Sequence, residues 1–301
     1  MKNIDGASCF TVGDVIIPQL LKGVSSNNLE IKELCFDTLN DYIETFNYVL
    51  IKDSEKVLKM KDKEALLSIA LDALKVNNIS LRKIASIFLG NFSLILSKQQ
   101  LHKFLEILVN IIHETDDISE KIVYIGTLNT VAKNTASRHV DFINKIIPLL
   151  FEYCNQDYLE QNTNNYDINN DLVETSLNLI ETYITKITPH MKPYVDKLIK
   201  VVLTLMQYDP NYQYTEDMDV DNNYYEGYEN YDYEFMSNDD SSWKVRRASV
   251  RIIQSFIKSG IEIDREITKV IIRDLVECVK EHEENTKLDI ISCLSSFVRS
   301  L

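Results

Sequence analysis

The sequence predicts an all-α protein, a right-handed α-solenoid of about six HEAT-type helical hairpin repeats. Three observations indicate this fold class. Hydrophobic residues recur at three- and four-residue steps along most of the chain, which is typical of helices buried on one side. A unit of about 40 residues recurs, the length of HEAT-type repeats. Gly and Pro are few, at 7 and 5 of 301 residues, whereas sheets and tight loops usually need more.

The hydrophobic spacing predicts a series of helices, which lie at about 11–23, 29–47, 62–75, 79–96, 99–113, 118–135, 139–154, 171–187, 189–207, 243–259, 263–280 and 284–300. The first pair shows the pattern. Its predicted buried residues are Val12, Val15, Ile16, Leu20 and Val24, followed by Ile31, Leu34, Cys35, Leu39, Tyr42, Ile43 and Phe46.

The second helices of the repeats align with one another, at Ile31, Leu81, Glu120, Val173, Val245 and Thr286. Polar insertions at about 49–60, 155–170 and 208–240 explain the longer steps. Because one helix pair cannot bury its apolar stripe alone, neighbouring pairs stack. We therefore expect a single solenoid over residues 1–301. The last helix reaches Leu301 without the polar face of a terminal repeat, so we expect the chain to be part of a longer solenoid.

Local signals agree with these helices. Thr188 and Pro189 fit an N-cap followed by proline at the first helical position. Gly260 fits the residue that ends the helix before it. The buried stripe of that helix is predicted to comprise Val245, Ala248, Ser249, Ile252, Ile253 and Phe256.

An acidic, tyrosine-rich insert occupies residues 208–242, within the fifth repeat. It contains eleven Asp or Glu residues, no Lys or Arg, and eight of the sixteen Tyr residues. Without these eleven carboxylates the formal net charge changes from −14 to −3, so the acidity is a local feature. Because few aliphatic residues and charge of one sign cannot form a core, we expect the insert to be disordered. Asp239 and Asp240 would favour the N-terminus of the next helix.

Aromatic and basic residues around the end of the insert are the candidate partner-binding residues. They are Trp243, Lys244, Arg246, Arg247 and Arg251, with Tyr212 and Tyr214 in the insert itself. Two interpretations stay open. Trp243 either packs at the start of its helix or anchors an interface. The basic side chains either are solvated or pair with the insert's carboxylates, or they contact an acidic partner.

Several classes of function are disfavoured. The acidic balance argues against nucleic-acid binding, which needs Lys and Arg to neutralise phosphates. The five Cys residues show no Cys-x-x-Cys spacing and are expected to be free thiols. No signal peptide and no membrane span are apparent, so we expect a cytoplasmic and nuclear monomer without membrane contact.

Catalytic and metal-binding patterns are also weak. Asp217, Asp219 and Asp221 begin a calcium loop, but Asn222 and Tyr228 replace the Gly and Glu that the loop needs. The His residues have no metal-ligand spacing and are expected at surfaces or interfaces; they are His102, His113, His139, His190 and His282. No phosphate loop or nucleophile elbow is present. We expect no metal, no cofactor and no enzymatic activity.

Four stretches carry a resemblance to a known family: Ile146-Ile147-Pro148-Leu149-Leu150 with Tyr153-Cys154-Asn155, Tyr208-Asp209-Pro210-Asn211-Tyr212-Gln213-Tyr214, Ser242-Trp243-Lys244-Val245-Arg246-Arg247-Ala248, and Glu283-Glu284-Asn285-Thr286-Lys287-Leu288-Asp289. In this order they resemble the cullin-associated, neddylation-dissociated proteins. The resemblance covers about residues 138–300 and is only periodic over 1–137. It implies a HEAT solenoid that wraps an unmodified cullin and its bound RING protein, competes with the cullin's ubiquitin-like modification, and speeds exchange of substrate-receptor modules.

Departures from the family limit what is carried over. Family members are several-fold longer, so the chain resembles part of their N-terminal half, whereas receptor exchange is assigned to the far C-terminal half. The resemblance thus implies binding at the RING-proximal end of a cullin. The polar insertion 155–170 and Thr286, which replaces a usual valine, are not in the family pattern. An importin-type nuclear transport receptor is the alternative, since importins are also HEAT solenoids that can carry an acidic loop. The Asp209-Pro210-Asn211-Tyr212 opening and the Trp243-Lys244-Val245-Arg246-Arg247 close of the insert favour the cullin partner.

Overall fold

Helices joined by short connections make up almost all of the described chain. The computed structural model describes residues 6–155, 158–159, 166–209 and 241–300, and no β-strand occurs among them. The helices are α1 (Gly6–Val24), α2 (Leu29–Asp53), α3 (Met60–Lys75), α4 (Ile79–Phe92), α5 (Lys98–Glu114), α6 (Ile118–Thr135), α7 (Ile143–Tyr153), α8 (Tyr166–Lys186), α9 (Thr188–Met191), α10 (Val195–Met206), α11 (Ser242–Lys258), α12 (Arg265–Glu277) and α13 (Glu284–Ser300).

The chain divides into two compact units, Met1–Leu149 and Leu150–Leu301. Within the first unit, the second helix of each pair contacts the next second helix, α2 with α4 and α4 with α6. Within the second unit, α11 contacts both α8 and α13. This stacking and the helix content confirm the all-α solenoid class. That all 301 residues form one solenoid stays a prediction.

An asparagine ladder connects the second helices of the first unit. The Asn91 side-chain amide donates to Asn40 Oδ1 at 2.7 Å, and Asn134 donates to Asn91 Oδ1 at 3.0 Å. At Gly90 the helices α4 and α6 are so close that a β-carbon would collide with Thr130. Polar side chains therefore fix the register between helices whose cores are apolar.

The predicted buried stripe of the first pair is partly wrong. Val15 is 69% exposed and Leu34 is 66% exposed. The side of α1 that faces α2 is instead formed by Cys9, Gly13 and Ile17, which are buried. The physical reason is close approach, since a β-carbon on Gly13 would collide with Tyr42 and Val57.

On α2 part of the buried stripe faces α4 and not α1. Phe36 is fully buried and its ring lies 5.1 Å from that of Phe88 on α4. Ile31 is 47% exposed. A helix that packs against α1 and α4 buries two adjacent faces, and the position of the second face depends on α4.

Helix starts follow short polar caps. Asn28, Asn78 and Asp117 each accept backbone N–H hydrogen bonds at the first turns of α2, α4 and α6. The prediction for Thr188 is wrong, because its hydroxyl donates to the Ile184 carbonyl and Ile187 occupies the N-cap position. Pro189 does lie in the first turn of α9, as predicted.

His139 corrects another expectation. It is fully buried, whereas the other four His residues are exposed as expected. Its Nε2 lies 2.9 Å from the Thr135 hydroxyl, which donates to the Val131 carbonyl. Burial, with a smaller effect from the charge of Arg138, lowers the pKa of His139 to about 3.

Candidate functional site

Helix α11 is the centre of the second unit and begins directly after the acidic insert. All six residues of its predicted apolar stripe are buried, which confirms the stripe. The helix ends in a glycine motif, because Gly260 has φ 65° and the Gly260 and Ile261 N–H groups donate to Ile257 and Phe256 carbonyls. With its stripe buried, α11 presents its basic residues to the neighbouring helices.

Arg246 connects the two ends of the insert. Its Nη1 donates to the Tyr208 carbonyl at 3.0 Å and to Ser242 Oγ at 2.6 Å. Its Nε and Nη2 donate to the two carboxylate oxygens of Glu281, at 2.6 and 3.1 Å. Both side chains are largely buried, with 16% of Arg246 and 7% of Glu281 exposed. One guanidinium group thus holds together α10, α11 and the α12–α13 connection.

Glu281 is held in its charged form. Burial alone raises its pKa, but hydrogen bonds from Arg246 and from the backbone N–H groups of Glu283 and His282 outweigh burial, so the net pKa is lowered. The backbone bonds are 3.1 and 3.0 Å long. The carboxylate therefore orders the start of α13 as well as Arg246.

Other cations of α11 bridge to both flanking helices. Lys244 meets Asp171 of α8 and Arg251 meets Glu181 of α8, each at 2.7 Å. Arg247 meets Asp289 of α13 at 2.7 Å. The cations of these pairs are 31% to 40% exposed. Each pair is therefore modest in energy but fixes how one second helix lies against the next.

The residue that precedes α11 is tied to α8. Ser241 donates to Asp167 Oδ1 at 2.5 Å and accepts from the Asn170 side-chain amide at 3.0 Å. Asn170 is buried at the start of α8, which begins at Tyr166 and so five residues before the predicted helix at 171. Together with Arg246, these contacts hold both ends of the insert against the repeat.

The structure brings together the predicted residues of α11 but leaves others undescribed. Trp243 is half-buried. Tyr212 and Tyr214 lie outside the described residues, as do Asp239, Asp240 and the calcium-loop stretch. The described carboxylate partners of the cations come from helices and connections beyond the insert. Partner binding by these residues stays a prediction.

Sequence reasoning missed the carboxylates that meet these cations. Asp289 lies within the fourth family-like stretch, which was a usable signal. Asp171, Glu181 and Glu281 carry no motif, and they lie between 35 and 73 residues from their cationic partners in the chain. Their roles follow from packing alone.

Among the described residues, no group of three or more His, Cys, Asp or Glu could hold a metal ion. Over the same residues, none of the helices combines the length and apolar character needed to cross a membrane. All five Cys residues are free thiols, as predicted.

Stacked helical pairs joined by polar contacts between second helices define a helical-repeat protein. No family model matches the sequence. Over 303 residues the chain is 25% identical to "Cullin-associated NEDD8-dissociated protein 1" of Dictyostelium discoideum. The match covers 95% of this chain and 23% of that protein. The chain is 24% identical to the protein of the same name from Arabidopsis thaliana, over 94% of this chain and 22% of that protein.

A relative with a different name and one solved structure are also similar to the chain. "Cullin-associated NEDD8-dissociated protein 2" of Rattus norvegicus is 26% identical over 58% of this chain and 13% of its own length. An engineered protein of known crystal structure is 11% identical, with a TM-score of 0.49, over 94% of this chain and 97% of its own.

The curated relatives confirm the relationship to cullin-associated NEDD8-dissociated proteins that the four stretches indicate. They also extend the similarity beyond residues 138–300, because the first match covers 95% of the chain. The chain spans about a fifth of the length of the Dictyostelium and Arabidopsis relatives, 23% and 22%.

Proposed function

We propose that this chain is a non-catalytic interaction scaffold that binds an unmodified cullin and its RING partner and thereby opposes attachment of NEDD8 to the cullin. The observation that carries the proposal is the similarity, along 95% of the chain, to a protein whose name states cullin association and NEDD8 dissociation. The mechanism is steric: a partner surface covered by the scaffold is closed to the modifying enzyme.

The geometry around α11 supports a binding role. Its cations are held by ion pairs to α8 and α13, so the surface beside them is ordered before a partner arrives. A preorganised surface loses less entropy on binding than a mobile one. Trp243, half-buried beside these cations, is the side chain best suited to become an anchor when a partner covers it.

A binding measurement with purified components tests the proposal. The chain is immobilised and exposed to an unmodified cullin–RING complex and, separately, to a GTP-bound transport GTPase, the partner an importin would take. We expect the cullin complex to be retained and the GTPase to pass through. Retention of the GTPase alone, or of neither protein, would contradict the proposal.

The site is tested with matched variants on the same helix. We expect Trp243→Ala to weaken cullin binding by about tenfold, which corresponds to about 1.4 kcal/mol. Lys258→Ala, at the C-terminal end of α11, removes an exposed cation that hydrogen-bonds to Gln254 of the same helix and is the control. Equal affinity for the two variants would remove Trp243 from the interface.

A further inference from the structure

Ion pairs between separate helices are a feature of the second unit. Among the described residues, three partly exposed pairs tie α11 to its neighbours, each at 2.7 Å: Lys244–Asp171 and Arg251–Glu181 toward α8, and Arg247–Asp289 toward α13. In the first unit, the ion pairs of the described residues join side chains only three positions apart in the chain; they are Lys56–Asp53 and Lys75–Asp72. Opposite charges therefore connect second helices in one unit and not in the other.

The second helices of the first unit are connected by uncharged donors. The Asn91 side-chain amide donates to Asn40 and to Glu44, both on α2. The Ser80 hydroxyl, at the start of α4, donates to Glu33 of α2 at 3.1 Å. Since at most one member of each contact is charged, dissolved salt has little attraction between opposite charges to screen there.

The three pairs of α11 lie where salt reaches them. Their cations are 31% to 40% exposed and their carboxylates 21% to 42%. The range over which exposed charges act falls from about 10 Å at 0.1 M salt to about 3 Å at 1 M. The Arg246–Glu281 pair is largely buried and is screened much less. Salt therefore weakens the attraction along α11 without removing the contacts of Arg246.

We propose that α8, α11 and α13 form a salt-sensitive clasp, which opens more readily as ionic strength rises while the stack of α2, α4 and α6 keeps its stability. Separate regions of one protein open locally, with free energies that their own contacts determine. Because α11 is tied on both sides, its opening breaks all three exposed pairs at once. The clasp is a conformational property of the second unit and does not depend on the cullin proposal.

Hydrogen exchange of the full chain, followed by mass spectrometry in 0.05 M and 1 M sodium chloride, tests the clasp. The readouts are the backbone amides of α11 and of α4, each of which contacts a second helix on both sides. We expect the amides of α11 to exchange about fivefold faster in 1 M salt, since each exposed pair contributes modestly and three act together. The amides of α4 should keep their rate, which also corrects for a general effect of salt on exchange.

Matched neutral variants separate charge from packing. The test variant removes the charges of both pairs to α8 and keeps polar groups in their place; its changes are Lys244→Gln, Asp171→Asn, Arg251→Gln and Glu181→Gln. The control variant neutralises the exposed pair within α3 by Lys75→Gln and Asp72→Asn. We expect the salt effect on α11 to fall below twofold in the test variant and to stay about fivefold in the control.

Circular dichroism checks that both variants are folded. Each variant is compared with itself at the two salt concentrations, so a change in its overall stability does not alter the result. If the fourfold substitution does not fold, Lys244→Gln with Asp171→Asn takes its place, with an expected salt effect of about threefold.

Three results would overturn the proposal. Equal exchange of α11 in both salts would mean that the ion pairs do not stabilise the stack. An equal increase in α4 would mean that the whole chain responds to salt. A full salt effect in the test variant would mean that other charges cause it.

Discussion

Arg246 hydrogen-bonds to three separate parts of the second unit. It binds Glu281 in a bidentate manner and holds Tyr208 and Ser242 as well. Removal of one member of a largely buried pair leaves the other charge without compensation. The arrangement also has a pH dependence, because Glu281 has a lowered pKa.

We expect Arg246→Ala to lower the free energy of unfolding by about 3 kcal/mol, because Glu281 would stay buried and unpaired. Urea unfolding at pH 7 measures the change. Arg247→Ala is the control, since the Arg247–Asp289 pair is more exposed and should cost about 1 kcal/mol or less. The stabilisation from Glu281 is complete above its ordinary pKa of 4.5 and is lost as the pH falls through the lower folded value. The difference in unfolding free energy between wild type and Arg246→Ala should therefore shrink only below pH 4.5, where Glu281 becomes protonated.

Thr286 carries a buried hydroxyl that no described residue hydrogen-bonds. It is fully buried in the first turn of α13, and its Oγ1 forms no hydrogen bond with the described residues. We expect Thr286→Val to stabilise the protein by about 1 kcal/mol, since the change keeps the shape and removes an unpaired polar atom. The measurement is the urea midpoint.

Thr127→Val serves as the comparison. Thr127 is equally buried, but its hydroxyl donates to the Val123 carbonyl at 2.8 Å. Its replacement should leave stability unchanged or lower it. If both valine variants moved the midpoint in the same direction, the unpaired hydroxyl would not be the cause.

His139 adds a pH dependence to the first unit. Its pKa is lowered from 6.5 to about 3, so the folded protein binds this proton less readily than the unfolded chain. The stabilisation of the folded state by neutral His139 is complete above pH 6.5 and is lost as the pH falls from 6.5 toward 3. We expect His139→Gln, whose amide can still donate to Thr135, to reduce this slope by up to about 1.4 kcal/mol per pH unit. Urea unfolding at several pH values between 4 and 7 measures it; equal slopes in wild type and variant would contradict the assignment.

Helix α11 has two faces with different roles. The apolar stripe joins the core, while the cations reach α8 on one side and α13 on the other. In the first unit the corresponding contacts use uncharged Asn91 and Asn134. Both chemistries fix the register of second helices, but ion pairs leave a partly exposed charged surface that a partner can use.

The structural role of the insert can be tested by deletion. Because Tyr208 and Ser242 contact the same Arg246 atom, its two ends lie next to each other. We expect replacement of residues 212–240 by a short Gly–Ser linker to leave the fold intact, with a change in unfolding free energy below about 1 kcal/mol. Urea unfolding and circular dichroism check this outcome, and a loss of helix content would contradict it.

The same deletion separates two roles in binding. If the cullin–RING complex binds as tightly after deletion, the insert is not a contact element. A third variant that keeps the length but replaces Asp, Glu and Tyr by Gly and Ser distinguishes chemistry from spacing.

For the chain as a whole, the proposed steric mechanism makes a kinetic prediction. Excess chain should slow attachment of NEDD8 to a purified cullin–RING complex several-fold, because scaffold and modifying enzyme compete for one surface. Gel analysis of the modified cullin over time measures the rate. A cullin that already carries NEDD8 is the control and should not be retained by the chain. An unchanged rate under saturating binding would exclude competition.

The prediction of the fold and the prediction of the site succeeded to different degrees. Each predicted helix is present, with the one at 189–207 divided into α9 and α10, and the stripe of α11 is correct at all six positions, because apolar periodicity is a local property of the chain. The stripe of α1 is wrong at Val12 and Val15, which are exposed, and Gly13, which has no side chain to reveal its position, is among the residues that contact α2. The cations of α11 were singled out, but their partners were not.

From residue order alone one could infer the helices, the repeat length, the isolated acidity of residues 208–242 and the relationship to cullin-associated proteins, since each is recorded in neighbouring residues or short stretches. Packing was needed to show that Arg246 meets Glu281 and that His139 is buried. The reason is physical: the environment of a side chain depends on which distant helices surround it, and helical periodicity specifies a face without specifying the neighbour.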